Sequence, residues 1–221
     1  QKETASETKE QTPESGRAEK KNVLALRETI TPSLKTNFPD TPVLVTFEKA
    51  KQNSDDIAVV IGNADYQRLG RDIPNVNPAY ADAKSYRQFA MEAFGVRKEN
   101  VIDVRDATRA QMVRVFGGKE NHRGQLFNWV RKGRSRVYVF YAGHGAPAGK
   151  DGSAYLVPAD ADGALIGLTG YPMKTFYQNL AKLPAKSVLV VIDACFSGLS
   201  PAGPVIPRTS GILITPTTPR V

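Results

Sequence analysis

The chain has very few of the residues that build disulfides and zinc sites. Its 221 residues include one Cys and two His. A single Cys cannot form an intrachain disulfide, and it cannot supply a Cys-based zinc site. The sequence therefore excludes a disulfide-stapled scaffold, and it leaves little material for any site built from soft metal ligands.

Long apolar runs and extreme compositions are also absent. No stretch approaches the roughly 18 consecutive apolar residues of a membrane-spanning helix, so we expect no membrane span. Hydrophobic residues make up 41% and charged residues 24%, which excludes a collagen, a coiled coil and a wholly disordered chain. The chain begins at Gln1 rather than Met, which fits either a removed signal peptide or a sequence boundary at this point. The sequence therefore predicts no particular cellular compartment.

Acidic residues are in the minority. The chain has 30 Lys and Arg residues against 22 Asp and Glu residues, which gives a net charge of +8. Basic residues alternate with acidic ones along most of the chain, and the densest basic stretch, residues 131–136, lies between a predicted helix and a predicted strand. A solvated turn is expected there. Because the basic excess is scattered, we expect no nucleic-acid partner.

Composition changes near both ends of the chain. Residues 1–22 contain five acidic and five basic residues but no Val, Ile, Leu or aromatic residue, which predicts disorder. We interpret residues 1–55 as a mostly disordered N-terminal segment or linker. Residues 200–221 contain five Pro and are interpreted as a flexible linker, so the folded domain is predicted over residues 56–199.

Strand and helix patterns alternate through the middle of the chain. The predicted strands are residues 57–62, 100–104, 136–141 and 187–192, and the predicted helices are residues 78–95, 108–117, 124–132 and 171–183. This alternation predicts a three-layer α/β/α fold with a mainly parallel sheet covered by helices. Functional residues in such sheets gather just beyond the carboxyl ends of the strands. The residues that follow each strand are therefore the place to search for a site.

The third and fourth predicted strands lead into the sequences YAGHG and DACFSG. The first contains His144, and the second contains Cys195. A parallel sheet would place both residues at one edge, which is the arrangement that a Cys–His nucleophile pair needs. Taken singly, a Cys is more often a small core residue, and a His is more often structural. The two together, each near glycine after a buried strand, favour a catalytic role.

Both motifs resemble those of caspase-like peptidases. YAGHG is similar to the Y-S/A-G-H-G motif of that family, and DACFSG is similar to the D-x-C-x-S-G motif of metacaspases and bacterial orthocaspases. The His precedes the Cys by 51 residues, close to the interval of about 50 in caspases. Residues 59–63 and 77–83 are similar to the family's first strand and N-D-A helix start, so the resemblance covers residues 56–199.

The resemblance implies a cysteine endopeptidase of the metacaspase or orthocaspase type. Cys195 would attack the scissile carbonyl, while His144 would protonate the leaving amine and then activate water. The backbone N–H groups of Gly145 and Cys195 would stabilise the oxyanion. No metal enters this chemistry. The alternative function is a catalytically idle caspase-like module that binds partners without cutting them.

Two acidic residues predict the substrate preference. Asp193 stands two residues before Cys195, where caspases carry Gln, and Asp82 corresponds to the acid of the N-D-A segment. A pocket lined by these carboxylates would accept Arg or Lys before the cut. Each acid also has an ordinary structural explanation, Asp82 as a first-turn helix acid and Asp193 as a hydrogen-bonding group at a strand end. Ala142 departs from the family's commoner Ser.

The resemblance also bears on the C-terminal end. In the family, further strands and helices follow the Cys, whereas this chain continues for 26 residues after Cys195. We expect the last strands to be missing from this chain and to come from a small subunit of the same precursor, since an open hydrophobic sheet edge favours association. Arg208 and Arg220 lie in the Pro-rich segment, where a protease that cuts after basic residues could process a zymogen.

Calcium is expected at most as an activator. Many metacaspases need it, and Asp151, Asp160 and Asp162 follow the His motif as candidate ligands. Three carboxylates in a loop are more often only solvated, because a calcium site takes about six or more oxygen ligands.

Overall fold

A computed structural model describes residues 38–42, 46–69, 72–148 and 153–196, together with the backbone of 199–200 and 203–204. These residues contain nine strands and five helices. The strands are β1 (Ile57–Gly62), β2 (Val101–Arg105), β3 (Arg136–Ala142), β4 (Gly145–Ala148), β5 (Ser153–Leu156), β6 (Tyr171–Pro172), β7 (Ser187–Asp193), β8 (Leu199–Ser200) and β9 (Gly203–Pro204). The helices are α1 (Ala79–Glu92), α2 (Arg109–Phe116), α3 (Gln125–Trp129), α4 (Ile166–Thr169) and α5 (Met173–Ala181).

The main sheet has four parallel strands in the order β2-β1-β3-β7. Every residue of β1 is buried, as expected for a central strand covered on both faces. The chain therefore forms an α/β fold with a parallel sheet and flanking helices. This confirms the fold class that the alternating pattern predicted.

The side chains of β1 alternate between two hydrophobic clusters. Val59 and Ile61 face the cluster that contains residues of α2, α3 and α5. Ala58 and Val60 face the opposite side, where α1 covers the sheet. Since each strand sends alternate side chains to opposite faces, one buried run supplies both cores and produces three layers.

All four predicted helices are shorter in the structure, and two of them are shortened for local reasons. The helix predicted at 124–132 ends at Trp129, because Val130 is extended and the backbone N–H of Arg131 donates to the Ser135 hydroxyl at 2.9 Å. The helix predicted at 171–183 begins at Met173, because the two residues of β6 pair with β5 instead.

A small antiparallel sheet, β4-β5-β6, follows His144 and was not predicted. Its strands have only two to four residues. They show no run of β-branched residues that would announce them in the sequence. This sheet carries the chain away from the edge of the main sheet directly after His144.

Part of the predicted N-terminal segment packs against α1. The ring of Phe38 lies 5.6 Å from that of Tyr80, and Phe47 lies 4.8 Å from Phe89. The chain divides into units 1–37 and 38–221, and the first lies outside the described residues. The same holds for residues 205–221, so the disorder and the linker predicted there stay predictions.

Two buried acids at the start of β1 bind the basic stretch of residues 131–136. Asp56 is 0% exposed, and its carboxylate accepts hydrogen bonds from the backbone N–H and Nε of Arg136 at 2.9 and 2.8 Å. The carboxylate of Asp55 lies 2.9 Å from Arg131 and 2.6 Å from Arg134. These pairs fasten the turn before β3 to the start of β1.

Within the described ranges, no helix is both long and apolar enough to cross a membrane.

We predict that Asp56→Ala lowers the free energy of unfolding by about 3 kcal/mol, because it strands the partners of a buried carboxylate. Urea denaturation measures the loss. Asp40→Ala is the control, since Asp40 is 49% exposed and its ion pairs span 3.5 and 3.9 Å. That variant is expected to lose less than about 1 kcal/mol. Equal losses in the two variants would contradict the prediction.

Candidate active site

The register between β3 and β7 brings the two predicted catalytic segments together. Ala142 is paired with Asp193, and the next N–H, that of Gly143, donates to the Asp193 carbonyl at 3.2 Å. His144 and Cys195 each lie two residues beyond this pair, at the carboxyl edge of adjacent strands. His144 is 4% exposed, whereas Cys195 is exposed. Among the described residues, no hydrogen bond links the thiol to the imidazole.

A backbone carbonyl determines the tautomer of His144. Its Nε2 lies 2.7 Å from the carbonyl oxygen of Pro74. Since a carbonyl can only accept, Nε2 carries the hydrogen and Nδ1 keeps its lone pair. Burial lowers the pKa of His144, although the bond to Pro74 acts in the opposite direction. The ring is therefore a neutral base at pH 7.

The loop that presents Pro74 is tied to the end of β1. The N–H of Val76 donates to the Ala64 carbonyl at 3.0 Å, and the N–H of Gln67 donates to the Asn75 side chain at 2.9 Å. These bonds tie Asn75 and Val76 to the residues that follow β1. The Pro74 carbonyl, which accepts the hydrogen bond from His144, is thus tied to the end of β1, the strand next to β3.

Two buried tyrosines hold the backbone of His144. The N–H of His144 donates to the Tyr66 hydroxyl at 2.9 Å, and the Tyr141 hydroxyl donates to the His144 carbonyl at 2.8 Å. Burial raises the pKa of Tyr66 to about 12, so its hydroxyl stays protonated at neutral pH. A Cβ at Gly143 would lie 2.7 Å from one hydroxyl and 2.9 Å from the other. Only glycine leaves room for this tyrosine clamp, which we define as Tyr66 and Tyr141.

A buried carboxylate fixes the segment that carries Tyr66. Asp106 follows β2, and its Oδ1 accepts the N–H groups of Ala64 and Asp65 at 3.0 Å each. Its other oxygen accepts from the Tyr80 hydroxyl of α1. Asp106 has a φ of +47°, a conformation that few residues other than glycine adopt. The end of β1 is therefore anchored to both β2 and α1.

These supporting residues were not assigned a role from the sequence. Tyr66 stands within the strand-end segment that the parallel-sheet argument singles out. That position could have marked it as a site residue. Asp106 follows the second predicted strand and meets the same criterion. Nothing in the sequence indicates that Pro74 comes close to this edge, because its contact with His144 depends on a loop path.

Gly145 couples the two motifs directly. Its Cα faces the ring of Phe196, the residue after Cys195, and a Cβ at position 145 would lie 2.6 to 2.9 Å from three ring atoms. Any side chain here would displace the Phe196 ring. The Gly145 backbone therefore lies beside the segment that carries Cys195, the neighbourhood that an oxyanion donor must occupy.

The two predicted substrate-binding acids are within electrostatic range of each other. Asp82 lies in the first turn of α1 and is half-buried, and Asp193 is exposed at the end of β7. Burial raises the pKa of Asp82, and the negative charge of Asp193 raises it further. The two carboxylates therefore interact electrostatically, next to the strand that carries Cys195.

This geometry agrees with a comparison to known families. A family model described as the caspase domain of the C14 peptidases matches residues 55–217. The chain belongs to the caspase-domain family. No curated protein matches it. Membership in this peptidase family supports cysteine peptidase chemistry and protein substrates.

Two of the three acids considered as calcium ligands bind backbone N–H groups in this caspase domain. Asp160 accepts the N–H of Arg109 at 2.8 Å, and Asp162 accepts the N–H of Ala164 at 2.8 Å. Asp151 lies outside the described residues. In the part of the chain that the structure describes, no group of three or more His, Cys, Asp or Glu side chains is placed to hold a metal ion. Calcium activation therefore stays a prediction.

We predict that Tyr66→Phe lowers the free energy of unfolding by about 2 kcal/mol, because the buried N–H of His144 loses its acceptor. Urea denaturation is the measurement. Tyr86→Phe is a matched control, since the Tyr86 hydroxyl is buried without a hydrogen-bond partner among the described residues. Its removal is expected to be neutral or slightly stabilising. The clamp would be refuted by a neutral Tyr66→Phe.

Proposed function

We propose that the domain is a cysteine endopeptidase that uses a Cys195–His144 dyad. The observation that carries the proposal is the β3–β7 register, which makes the segments of these two residues neighbours at one sheet edge. The orientation of the imidazole adds support. With its hydrogen on the Pro74 side, His144 offers Nδ1 as a base, and its lowered pKa keeps that base unprotonated at neutral pH.

The chemistry follows from these roles. Nδ1 of His144 takes the thiol proton, and the Cys195 thiolate attacks the scissile carbonyl. The imidazolium then protonates the leaving amine, which leaves an acyl-enzyme, and the neutral imidazole activates a water molecule to release the acid. We propose the backbone N–H groups of Gly145 and Cys195 as oxyanion donors, each worth about 3 kcal/mol of transition-state stabilisation. The close approach of Gly145 to Phe196 supports this assignment.

Specificity for Arg or Lys is proposed from Asp82 and Asp193. Burial and mutual repulsion disfavour two negative charges at this edge, and a cationic side chain would relieve that repulsion. The guanidinium of a substrate Arg can donate two parallel N–H hydrogen bonds to a carboxylate. Because these two acids and the His and Cys motifs resemble those of metacaspases and orthocaspases, we propose that the domain is of that type.

A further chain segment is proposed to bind along β7. This strand is at one edge of the four-strand sheet, and its side chains Leu189 and Val191 are 45% and 38% exposed. They are paired with Tyr138 and Phe140, which are buried under α1, whereas none of the described helices covers the same face of the sheet at β7. Downstream strands of the same precursor, separated by processing of a zymogen, would cover this edge.

The function is tested by hydrolysis of fluorogenic peptides with Arg, Lys or Asp before the cut, with and without calcium. We expect cleavage after Arg and Lys, and complete loss of cleavage in Cys195→Ala. Asp193→Ala is expected to lower kcat/KM for the Arg peptide by about tenfold or more, because it removes the exposed partner of the cation.

The other outcomes separate the alternatives. Cleavage after Asp would keep the peptidase and refute the acidic pocket. If no peptide is cut, the downstream part of the precursor is added. Activity that then appears supports the proposed subunit, and continued inactivity supports a caspase-like module that binds without cutting.

Asp82 predicts a pH dependence of KM. As the pH falls through its raised pKa, Asp82 becomes protonated and the pocket loses one negative charge, so KM for the Arg peptide rises. We expect the Asp82→Asn variant to show a KM about fivefold higher at neutral pH and to lack the acid-side rise. Asp103→Asn is the control, because Asp103 is another acid with a raised pKa, and it lies in β2 beside Arg87. A rise that persists in Asp82→Asn would contradict the assignment.

A further inference from the structure

A basic groove lies between α2 and α3, outside the candidate active site. The groove has a volume of about 830 Å³, and the loop of residues 117–124 closes one side of it. None of the residues proposed for catalysis or specificity lines it. Four cationic side chains do so, namely Arg109, Arg114, Lys119 and Arg123.

The charge of this groove is not neutralised within the described residues. No carboxylate lies within 4.0 Å of any of the four cations, although Glu120 also lines the groove. The guanidinium of Arg109 donates to the Gly170 carbonyl, while its backbone N–H donates to Asp160, and the guanidinium of Arg123 lies over the Phe127 ring. The neighbouring basic stretch behaves differently, since Arg131 is paired with a buried acid. The groove therefore concentrates unpaired positive charge.

The loop that carries two of these cations is rigidly held. The side-chain amide of Asn179 donates to the carbonyls of Phe116 and Gly118 at 3.1 and 3.0 Å, and the Tyr171 hydroxyl donates to the Gly117 carbonyl at 2.8 Å. Gly124 approaches the backbone so closely that a Cβ would lie 2.5 Å from the Val115 carbonyl. A preorganised surface of this kind loses little entropy when it binds a ligand.

The remaining lining residues suit a peptide. Trp129 is 40% exposed and offers a flat apolar surface to a ligand side chain. Asn121, Gln125 and Asn128 carry amides that can both donate to and accept from a peptide backbone. Nucleic acid fits less well, because Phe127 is already covered by Arg123, which leaves one exposed ring for stacking.

We propose that the groove between α2 and α3 binds an acidic segment of a partner protein. Carboxylates of that segment contact Arg109, Arg114, Lys119 and Arg123, and an apolar side chain packs on Trp129. The proposal does not depend on peptidase activity, because binding at this groove requires neither Cys195 nor His144.

The test uses a short synthetic peptide in which Glu and Gly alternate around one Leu. It contains no Arg or Lys and so is not a substrate under the proposed specificity. Trp129 is the only tryptophan in the chain, so its emission reports on the groove. We expect a saturable emission change that weakens as salt is added. Replacing each Glu of the peptide by Gln is expected to abolish it.

The double variant Arg114→Ala, Lys119→Ala is expected to bind the peptide about tenfold more weakly. Lys49→Ala, Lys51→Ala removes the same charge from exposed positions outside the groove, and it is expected to bind like the unmodified chain. Calorimetry decides if the emission does not change. The proposal is overturned by absence of binding, by equal weakening in both double variants, or by tighter binding of an oligothymidine of matched charge.

Discussion

The parallel pairing of β3 with β7 is the constraint on which the candidate site depends. It joins Ala142 to Asp193, and both chains continue from that pair into the His and Cys motifs. A shift by one residue would turn the alternate side chains of β7 to the wrong face. The hydrophobic contacts of Val188, Val190 and Ile192 with the main cluster oppose such a shift. The energy of the core therefore determines the relative position of the thiol and the imidazole.

Behind His144 the interior is polar, and its polar groups are hydrogen-bonded. Tyr66 and Tyr141 share the Val157 carbonyl, at 3.0 and 2.9 Å, while they also bind the His144 backbone. In a region of low dielectric an unmade hydrogen bond is expensive, so a satisfied network of this kind specifies one arrangement. Because these bonds hold its backbone, His144 keeps a defined position while burial lowers the pKa of its imidazole.

The two proposed binding surfaces of the domain carry opposite charge. Asp82 and Asp193 interact electrostatically at the edge that carries Cys195, whereas the groove between α2 and α3 is lined by cations that form no ion pair among the described residues. A net charge of +8 describes neither feature. If the proposed functions hold, a partner protein with a basic cleavage site and a separate acidic segment would match both surfaces.

The sequence by itself determined the order of strands and helices, because buried runs and amphipathic periods are local patterns. It also marked His144, Cys195, Asp82 and Asp193, since strand ends and short motifs are read along the chain. Only the tertiary structure decided that the Pro74 carbonyl accepts a hydrogen bond from His144, that Tyr66 and Tyr141 hold its backbone, and that Phe196 requires glycine at position 145. The same is true of the basic groove. These features arise from residues far apart in the chain, and their contacts depend on loop paths and packing that no local pattern encodes.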